Sequence, residues 1–166
     1  MTDEHGYQPI VPDVLGEAVG WRAWTVLKPE TPHPRLRSAN AGGQELIHQI
    51  WPPERWMIAR CPYGHEYPDI PVTTCSCGLY AAKTLDHLLD MRYACMSEGA
   101  TNVIGEVGMT GRVIEGTQGW KAAKARVLKL YVPLQSDALG QHLSDVFNVP
   151  YEVVAWWALE QRLRGF

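Results

Sequence analysis

The sequence lacks any apolar run approaching the about 18 residues that a membrane-spanning helix requires. We also expect no secretory signal peptide ahead of the first strand. The cysteines number only four, and three of them cluster with a histidine, which argues against a disulfide framework and for a reducing, cytoplasmic location. The net charge of -3 gives no general reason to expect a nucleic-acid partner, and we expect no membrane partner.

Familiar catalytic signatures are also missing. The sequence has no nucleophile elbow, no phosphate-binding glycine loop and no HExxH zinc-protease motif. The His-x-Glu and Pro-Cys-x-x-Cys pair of the nucleotide deaminases is absent as well. These absences predict a protein that is not an enzyme, with a zinc-dependent hydrolase as a remote alternative.

A concentration of metal-binding residue types stands near the middle of the chain. Cys-x3-His-x9-Cys-x-Cys places four donors within seventeen residues: Cys61, His65, Cys75 and Cys77. Thiolate sulfur and imidazole nitrogen are the usual partners of structural zinc, which takes four donors in a tetrahedron. Gly78 suits the turn that follows, because a residue without Cβ lets backbone amides approach the thiolates. The pattern predicts a structural Zn²⁺ site.

Two alternatives to this ligand set remain open at the level of sequence. The spacing departs from the paired Cys-x2-Cys arrangement, so the thiols could instead be ordinary small buried residues without a metal. His87 could replace His65 as the fourth ligand, although a surface imidazole is its more usual fate. We interpret Cys95, which lies far from the cluster in sequence, as a packing residue.

The order of secondary-structure signals predicts an α+β fold: a small, curved, mostly antiparallel sheet with a zinc knuckle and one packed helix. Residues 19–27 predict the first strand, and residues 102–115 predict two short strands with glycines at bends. Thr84 is a candidate N-cap for the helix, which the apolar spacing continues until Gly99. Residues 45–51 and 55–61 predict a hairpin whose second strand leads to Cys61. We predict three parts: a loosely ordered segment 1–18, a zinc-stabilised domain 19–133 and a helical hairpin 136–166.

The predicted C-terminal hairpin resembles the helix-turn-helix of bacterial DNA-binding regulators in its packing positions. Its second helix, predicted from residue 151 to 163, offers no Arg, Lys, Asn or Gln at the start that would enter a DNA groove. That helix is apolar over more than one face, which predicts a contact with another protein or a second copy of the chain. The predicted contact residues are Tyr151, Trp156 and Trp157.

A basic strip is the second candidate surface. It contains Arg112, Lys121, Lys124, Arg126 and Lys129. Beside aromatic residues such a strip can follow a phosphate backbone, whereas lysines on a solvated edge strand only discourage unwanted pairing with a strand of another chain.

The leading hypothesis is a non-enzymatic, zinc-stabilised protein-interaction or regulatory module. The alternative is a DNA-binding accessory or regulatory factor that uses this strip and the helix-turn-helix-like segment.

Between about residues 20 and 133 the chain resembles a family of uncharacterised proteins from actinobacteria and their phages. The matching segments are Gly20-Trp21-Arg22-Ala23-Trp24, Cys61, Cys75-Ser76-Cys77-Gly78-Leu79-Tyr80-Ala81, Gly105-Glu106-Val107, Gly111-Arg112-Val113 and Gly119-Trp120-Lys121-Ala122. The resemblance implies a cytoplasmic bacterial or phage-encoded protein and brings no known activity with it.

Overall fold

The structure is a computed structural model that describes residues 8–9, 17–39, 49–90 and 101–155. Within these ranges eight strands form one mixed, mostly antiparallel sheet, and two short helices accompany it. The strands are β1 (Gln8–Pro9), β2 (Ala18–Leu27), β3 (Arg35–Ser38), β4 (Met57–Ile58), β5 (Leu79–Ala82), β6 (Asn102–Glu115), β7 (Gly119–Pro133) and β8 (Tyr151–Val154). The helices are α1 (Leu85–Asp90) and α2 (Asp137–Phe147).

The long hairpin of β6 and β7 is the centre of the sheet. Its antiparallel register runs from Ile104 opposite Tyr131 to Glu115 opposite Trp120, with irregularities at two points. A tight turn closes the hairpin, where the Gly116 N–H donates to the Gly119 carbonyl at 2.8 Å. The glycine-punctuated segment 102–115 is therefore one continuous strand and not the two short strands predicted. β-Branched residues between the glycines keep it extended.

Pairing around this hairpin closes a ring of four strands. β2 pairs with β6 on the side away from β7, and β5 pairs with β7 on the side away from β6. β5 also meets β2, where Ala82 stands opposite Trp21. The ring order is thus β2, β6, β7 and β5, with all four contacts antiparallel. The predicted curved, mostly antiparallel sheet is confirmed.

Two glycines allow backbones to approach closely within this ring. A Cβ added to Gly105 would lie 2.2 Å from the carbonyl oxygen of Lys129, and one added to Gly119 would lie 2.6 Å from that of Ala81. Real Cβ atoms do not approach backbone oxygens this closely, so these positions require glycine for space. Glycine in a strand is typical of such close approach.

Aromatic packing fills the core at the β2 end of the ring. Trp24 is completely buried and meets Trp51 edge-on, with ring centroids 5.3 Å apart. The Arg22 guanidinium lies over the Trp51 ring at 5.1 Å and donates to the Ser38 hydroxyl at 2.8 Å. The Trp51 indole N–H donates to the same hydroxyl at 2.9 Å. These bonds give the Ser38 hydroxyl and the Trp51 indole N–H their partners, while the rings supply apolar contact area.

The predicted C-terminal helical hairpin is wrong where the structure describes it. α2 forms as predicted, but residues 151–154 form β8, which pairs in parallel with β7 from Leu130 to Pro133. The β-branched pair Val153 and Val154 favours a strand, and the open edge of β7 supplies its backbone hydrogen bonds. α2 is the crossover that a parallel connection needs. Its Leu139, Leu143 and Phe147 join the main core, so α2 is packed on the sheet domain.

Other predictions near the site have mixed outcomes. Thr84 caps α1 as predicted, because its hydroxyl accepts a hydrogen bond from the His87 backbone N–H at 3.2 Å. The predicted continuation of this helix past Asp90 lies outside the described residues. The predicted hairpin would pair β4 with residues 45–51, of which the structure describes only 49–51. β4 pairs instead with β7. Apart from β1, which pairs with β6, the predicted loose segment 1–18 is almost entirely outside the described ranges. Among the described helices, none has the length and apolarity to cross a bilayer.

The close approach at Gly105 can be tested against a glycine in the same strand. Gly105→Ala should lower the free energy of unfolding by about 2–3 kcal/mol, because the added methyl meets backbone that cannot move away. At Gly108 the obstructing atom is the flexible carboxylate tip of Glu17, so Gly108→Ala should cost less than about 1 kcal/mol. Urea denaturation of both variants would measure the difference, and equal destabilisation would contradict the argument.

Candidate metal centre

Two loops carry the four predicted donors. The first loop, residues 61–65, follows β4, and the second, residues 75–78, leads into β5. In the first loop the Gly64 N–H donates to the Cys61 carbonyl at 3.3 Å, and Gly64 has a φ of 91°. Gly78 has a φ of 125° and lies against Pro71 and Lys121. Both loops therefore turn at a positive φ that glycine adopts without strain.

The donor atoms of the two loops converge on one point. The Sγ of Cys61 lies 3.2 Å from the Nδ1 of His65 and 3.6 Å from the Sγ of Cys75. The Sγ of Cys77 lies 3.8 Å from the same Nδ1, and all four ligand atoms lie within 4.8 Å of one another. A zinc tetrahedron with ordinary bond lengths has sulfurs about 3.8 Å apart and sulfur about 3.6 Å from nitrogen. The cluster has the dimensions of a site for a metal ion such as zinc.

The thiols are free, and their separation excludes a disulfide in this structure. A disulfide requires sulfurs about 2.05 Å apart, far shorter than the distance between Cys61 and Cys75. Cys75 and Cys77 are buried, Cys61 is half-buried and His65 is exposed. The imidazole thus closes the solvent side of a pocket of sulfur atoms. His87 lies on α1 and is not among the four converging donors, so His65 is the histidine of the cluster.

Hydrogen bonding and burial separate the pKa values of two of these thiols. Burial raises the pKa of Cys61, but hydrogen bonds from the backbone of His65 and Tyr63 and from the side chains of Cys75 and His65 outweigh it and bring the pKa to about 6. Burial raises the pKa of Cys77 to about 11, with the neighbouring thiol groups adding to the effect against a backbone hydrogen bond at Val72. A cation bound by all three sulfurs must therefore displace the Cys77 proton.

Lys121 is the cationic side chain that supports the second loop. It is completely buried in β7, although it was predicted as part of the basic strip. Its Nζ donates to three backbone carbonyls, those of Val72 at 3.0 Å, Thr73 at 3.3 Å and Cys75 at 2.9 Å. The prediction that Lys121 could contact nucleic acid is wrong, because its ammonium group faces this loop inside the protein.

The charge of Lys121 suits its position beside the cluster. A divalent cation with three thiolates carries one net negative charge, and a buried charge needs a nearby partner of opposite sign. The ammonium group supplies that charge while it fixes the carbonyls of the loop that carries Cys75. Loss of a group that orients metal ligands in this way typically lowers metal affinity by about 10- to 100-fold.

The other members of the basic strip lie on two separate parts of the surface. Lys124 contacts the Tyr67 ring at 4.4 Å, and Arg126 lies over the Trp56 ring at 5.0 Å. Lys129 lies farther along β7, beyond an irregularity in the ladder, and pairs with Glu152 of β8 at 3.1 Å. This ion pair is the main reason that the pKa of Lys129 is raised. Arg112 is exposed and donates to the Asp69 carbonyl at 3.2 Å.

Of the three predicted partner-binding residues only Tyr151 is described. Its ring packs against α2, where a Cβ added to Gly140 would lie 2.3 Å from it, and its hydroxyl donates to Asp137 at 2.8 Å. That hydrogen bond is the first cause of the raised pKa of Tyr151. Tyr151 thus joins β8 to α2. Trp156 and Trp157 lie outside the described residues.

No family model, no curated protein and no solved structure matches this chain. The resemblance to actinobacterial and phage proteins therefore stays a prediction, and function has to be argued from the site itself.

Sequence reasoning missed the structural role of Lys121 and the exposed side of β4. For Lys121 the signal was its position between Trp120 and Ala122-Ala123, since apolar and small neighbours are unusual for a solvated lysine. For β4 the sequence carried no signal, because Trp56 to Ala59 are all apolar, and only the structure shows that Met57 and Ala59 are buried while Ile58 is exposed.

The contacts of Lys121 generate a prediction about both stability and metal affinity. Lys121→Met preserves side-chain length but leaves the three carbonyls without their ammonium donor, so we expect a loss of about 3 kcal/mol in unfolding free energy. We also expect zinc affinity to fall by about 10- to 100-fold. Denaturant titration and competition with a chromogenic chelator would measure these effects. The control Lys124→Met, on the solvent side of the same strand, should change neither quantity appreciably; equal losses in both variants would contradict the role of Lys121.

Proposed function

We propose that the protein is a non-enzymatic binding module whose fold is stabilised by one structural Zn²⁺ ion. The observation that carries the proposal is the convergence of three sulfurs and one imidazole nitrogen within 4.8 Å. Four protein donors complete a tetrahedron, whereas catalytic zinc keeps one position for water or substrate. The donor set therefore suits a stabilising ion better than a hydrolytic one.

The positions of the ligand loops support a structural role. The loop with Cys61 and His65 extends from β4, and the loop with Cys75 and Cys77 extends into β5. β4 has only two residues and β5 only four, and both pair with the same edge of β7. Strands this short contribute few ladder hydrogen bonds. A metal ion that joins the loops would hold both strands against β7.

Metal binding would be coupled to folding at this site. Two donors come from each side of a nine-residue connection, residues 66–74, so the unfolded chain presents no preformed tetrahedron. The binding free energy of the ion then contributes to the free energy of folding. Lys121 is buried against the same connection and would balance the charge of the thiolates once the metal has displaced their protons.

A protein partner for the C-terminal aromatic residues stays a prediction, as does self-association. Tyr151 gives it no support, because its ring and hydroxyl are engaged with α2. The binding surface of the module has to be sought elsewhere among the described residues.

Zinc removal should destabilise the protein. Purified protein should contain about one zinc per chain, and at free zinc of about 1,000 times Kd, linkage gives about 4 kcal/mol of stabilisation. For a chain of this size that corresponds to about 8–16 °C in Tm, which differential scanning calorimetry with and without chelator would measure. Cys77→Ser should lose the zinc, and Cys95→Ser should retain it. A metal-free protein with unchanged Tm would refute the proposal.

A cobalt-substituted protein would separate a closed site from a catalytic one. Co²⁺ in a site of three sulfurs and one nitrogen should show intense visible bands and thiolate charge transfer, because tetrahedral coordination is preserved. Cyanide or azide should leave the spectrum unchanged when four protein donors fill the tetrahedron. A spectral shift at low anion concentration would indicate an exchangeable position and would favour the zinc-hydrolase alternative.

A further inference from the structure

We propose that the outer surface of β4 and β7 binds single-stranded nucleic acid. The surface, here called the basic–aromatic face, consists of Trp56, Ile58, Tyr67, Arg112, Lys124 and Arg126. The inference names the ligand class of the binding module proposed above and rests on that function.

Strand pairing places the members of this face next to one another. Ile58 of β4 stands opposite Lys124 of β7, and Thr110 of β6 stands opposite Lys124 on the other side. Side chains two residues apart on a strand share a face, so Trp56 follows Ile58, and Arg126 follows Lys124. The 5.0 Å contact between the Arg126 guanidinium and the Trp56 ring confirms this register.

The face continues from β7 toward the metal-binding loops. Tyr67 lies between the ligand loops in sequence, and its ring contacts the Lys124 ammonium at 4.4 Å. The same ring lies 3.7 Å from the Cβ position of Gly111, next to Arg112. Arg112 donates to the Asp69 carbonyl, two residues after Tyr67. Cations and aromatic rings thus follow one another along the row from Arg126 to Arg112. The row depends on the connection between His65 and Cys75, because that connection carries Tyr67.

Exposure of apolar side chains on this row needs an explanation. Ile58 is 47% exposed and Tyr67 is 47% exposed, although both adjoin charged neighbours. Single exposed apolar residues are ordinary, but here two lie in one row with Trp56 and three cations. Nucleobases stack on aromatic rings and on guanidinium planes, while cations contact the phosphates between them. This row offers both kinds of contact in alternation.

A groove of about 230 Å³ extends the face at its Trp56–Arg126 end. Its lining includes the buried Phe147 and the half-buried Val149 of the segment after α2, and the exposed Arg55 adds a second guanidinium. The lining is mixed, and Glu54 places one carboxylate beside the two guanidinium groups of Arg55 and Arg126. A base can pack on the apolar side chains of this recess while the guanidinium groups contact its phosphate. The groove thus provides a place for one unstacked base beside the stacked pair of Trp56 and Arg126.

Carboxylates near the face determine how strongly it attracts phosphate. The Glu17 side chain lies over Gly108, and its carboxylate forms an ion pair with Arg126. The Arg126 side chain remains 50% exposed. A phosphate would share Arg126 with this carboxylate, which favours modest affinity with strong salt dependence. Arg112 and Lys124 contact a carbonyl and a ring, respectively, so their charges are not neutralised by these contacts.

The test measures fluorescence anisotropy of labelled oligothymidylate and oligouridylate of about 16 nucleotides with zinc-loaded protein. Three phosphate contacts on a single strand predict a salt slope of about -2, hence about a 20-fold loss of affinity between about 50 and 200 mM salt. Lys124→Gln combined with Arg126→Gln should reduce that slope to about -0.7. Lys83→Gln is the matched control, because Lys83 makes an equivalent contact with Trp120 and lies outside the face.

Two further variants test stacking separately from charge. Arg126→Lys keeps the charge and should keep the salt slope, but it loses the planar group and should weaken binding at least about fivefold. Trp56→Ala should weaken binding about tenfold. Tyr67→Leu, at an exposed ring, gives the same information if Trp56→Ala fails to fold. Zinc content is verified for each variant, so loss of binding with zinc retained bears on this inference alone.

Each outcome decides the proposal. Binding of both oligomers that falls in the stacking and charge variants supports it, and preference for one oligomer identifies DNA or RNA as the ligand. Absence of binding at about 50 mM salt overturns it. The proposal is also overturned if duplex DNA or polyglutamate binds as tightly as the single-stranded oligomers and if Trp56→Ala and Tyr67→Leu leave the affinity for those oligomers unchanged. Such a result would indicate only a general attraction for polyanions.

Discussion

The β6–β7 hairpin is the constraint on which the other elements depend. β1 and β2 pair with β6, and β4, β5 and β8 pair with successive parts of the free edge of β7. Only β3, among the described strands, is attached through another strand, β2. Short strands such as β4 have little stability of their own and are ordered because a long, continuous edge supplies their hydrogen bonds.

The metal cluster depends on this edge for its geometry. Since β4 and β5 pair with adjacent parts of β7, the loops that leave and enter them meet at one side of the sheet. Lys121 then reaches from β7 to the carbonyls of the second loop. The ligands converge because two strands share a partner, and a bound ion would in turn hold those strands on that partner. Site and fold are therefore mutually stabilising.

The two sides of β7 explain why its basic residues have different roles. Lys121 points into the protein and supports the ligand loop, whereas Lys124 and Arg126 point outward and carry aromatic neighbours. The connection between the ligands bears Tyr67, so the proposed structural ion and the proposed nucleic-acid surface share one segment. Ordering of this segment by metal would position an aromatic residue of the face without any contact between metal and nucleic acid.

The sequence alone determined the four donors, the antiparallel character of the sheet, the first strand and the N-cap of α1, because these depend on residue type and local spacing. It did not determine β8, since residues 151–154 have apolar character that fits a helix or a strand, and only the free edge of β7 decided between them. The burial of Lys121 likewise depends on contacts with residues 46 to 49 positions away. The choice of His65 over His87 depends on how the two ligand loops meet, which brings the Cys77 sulfur to the His65 ring from twelve positions away. Such contacts are set by tertiary packing, which local sequence patterns do not encode.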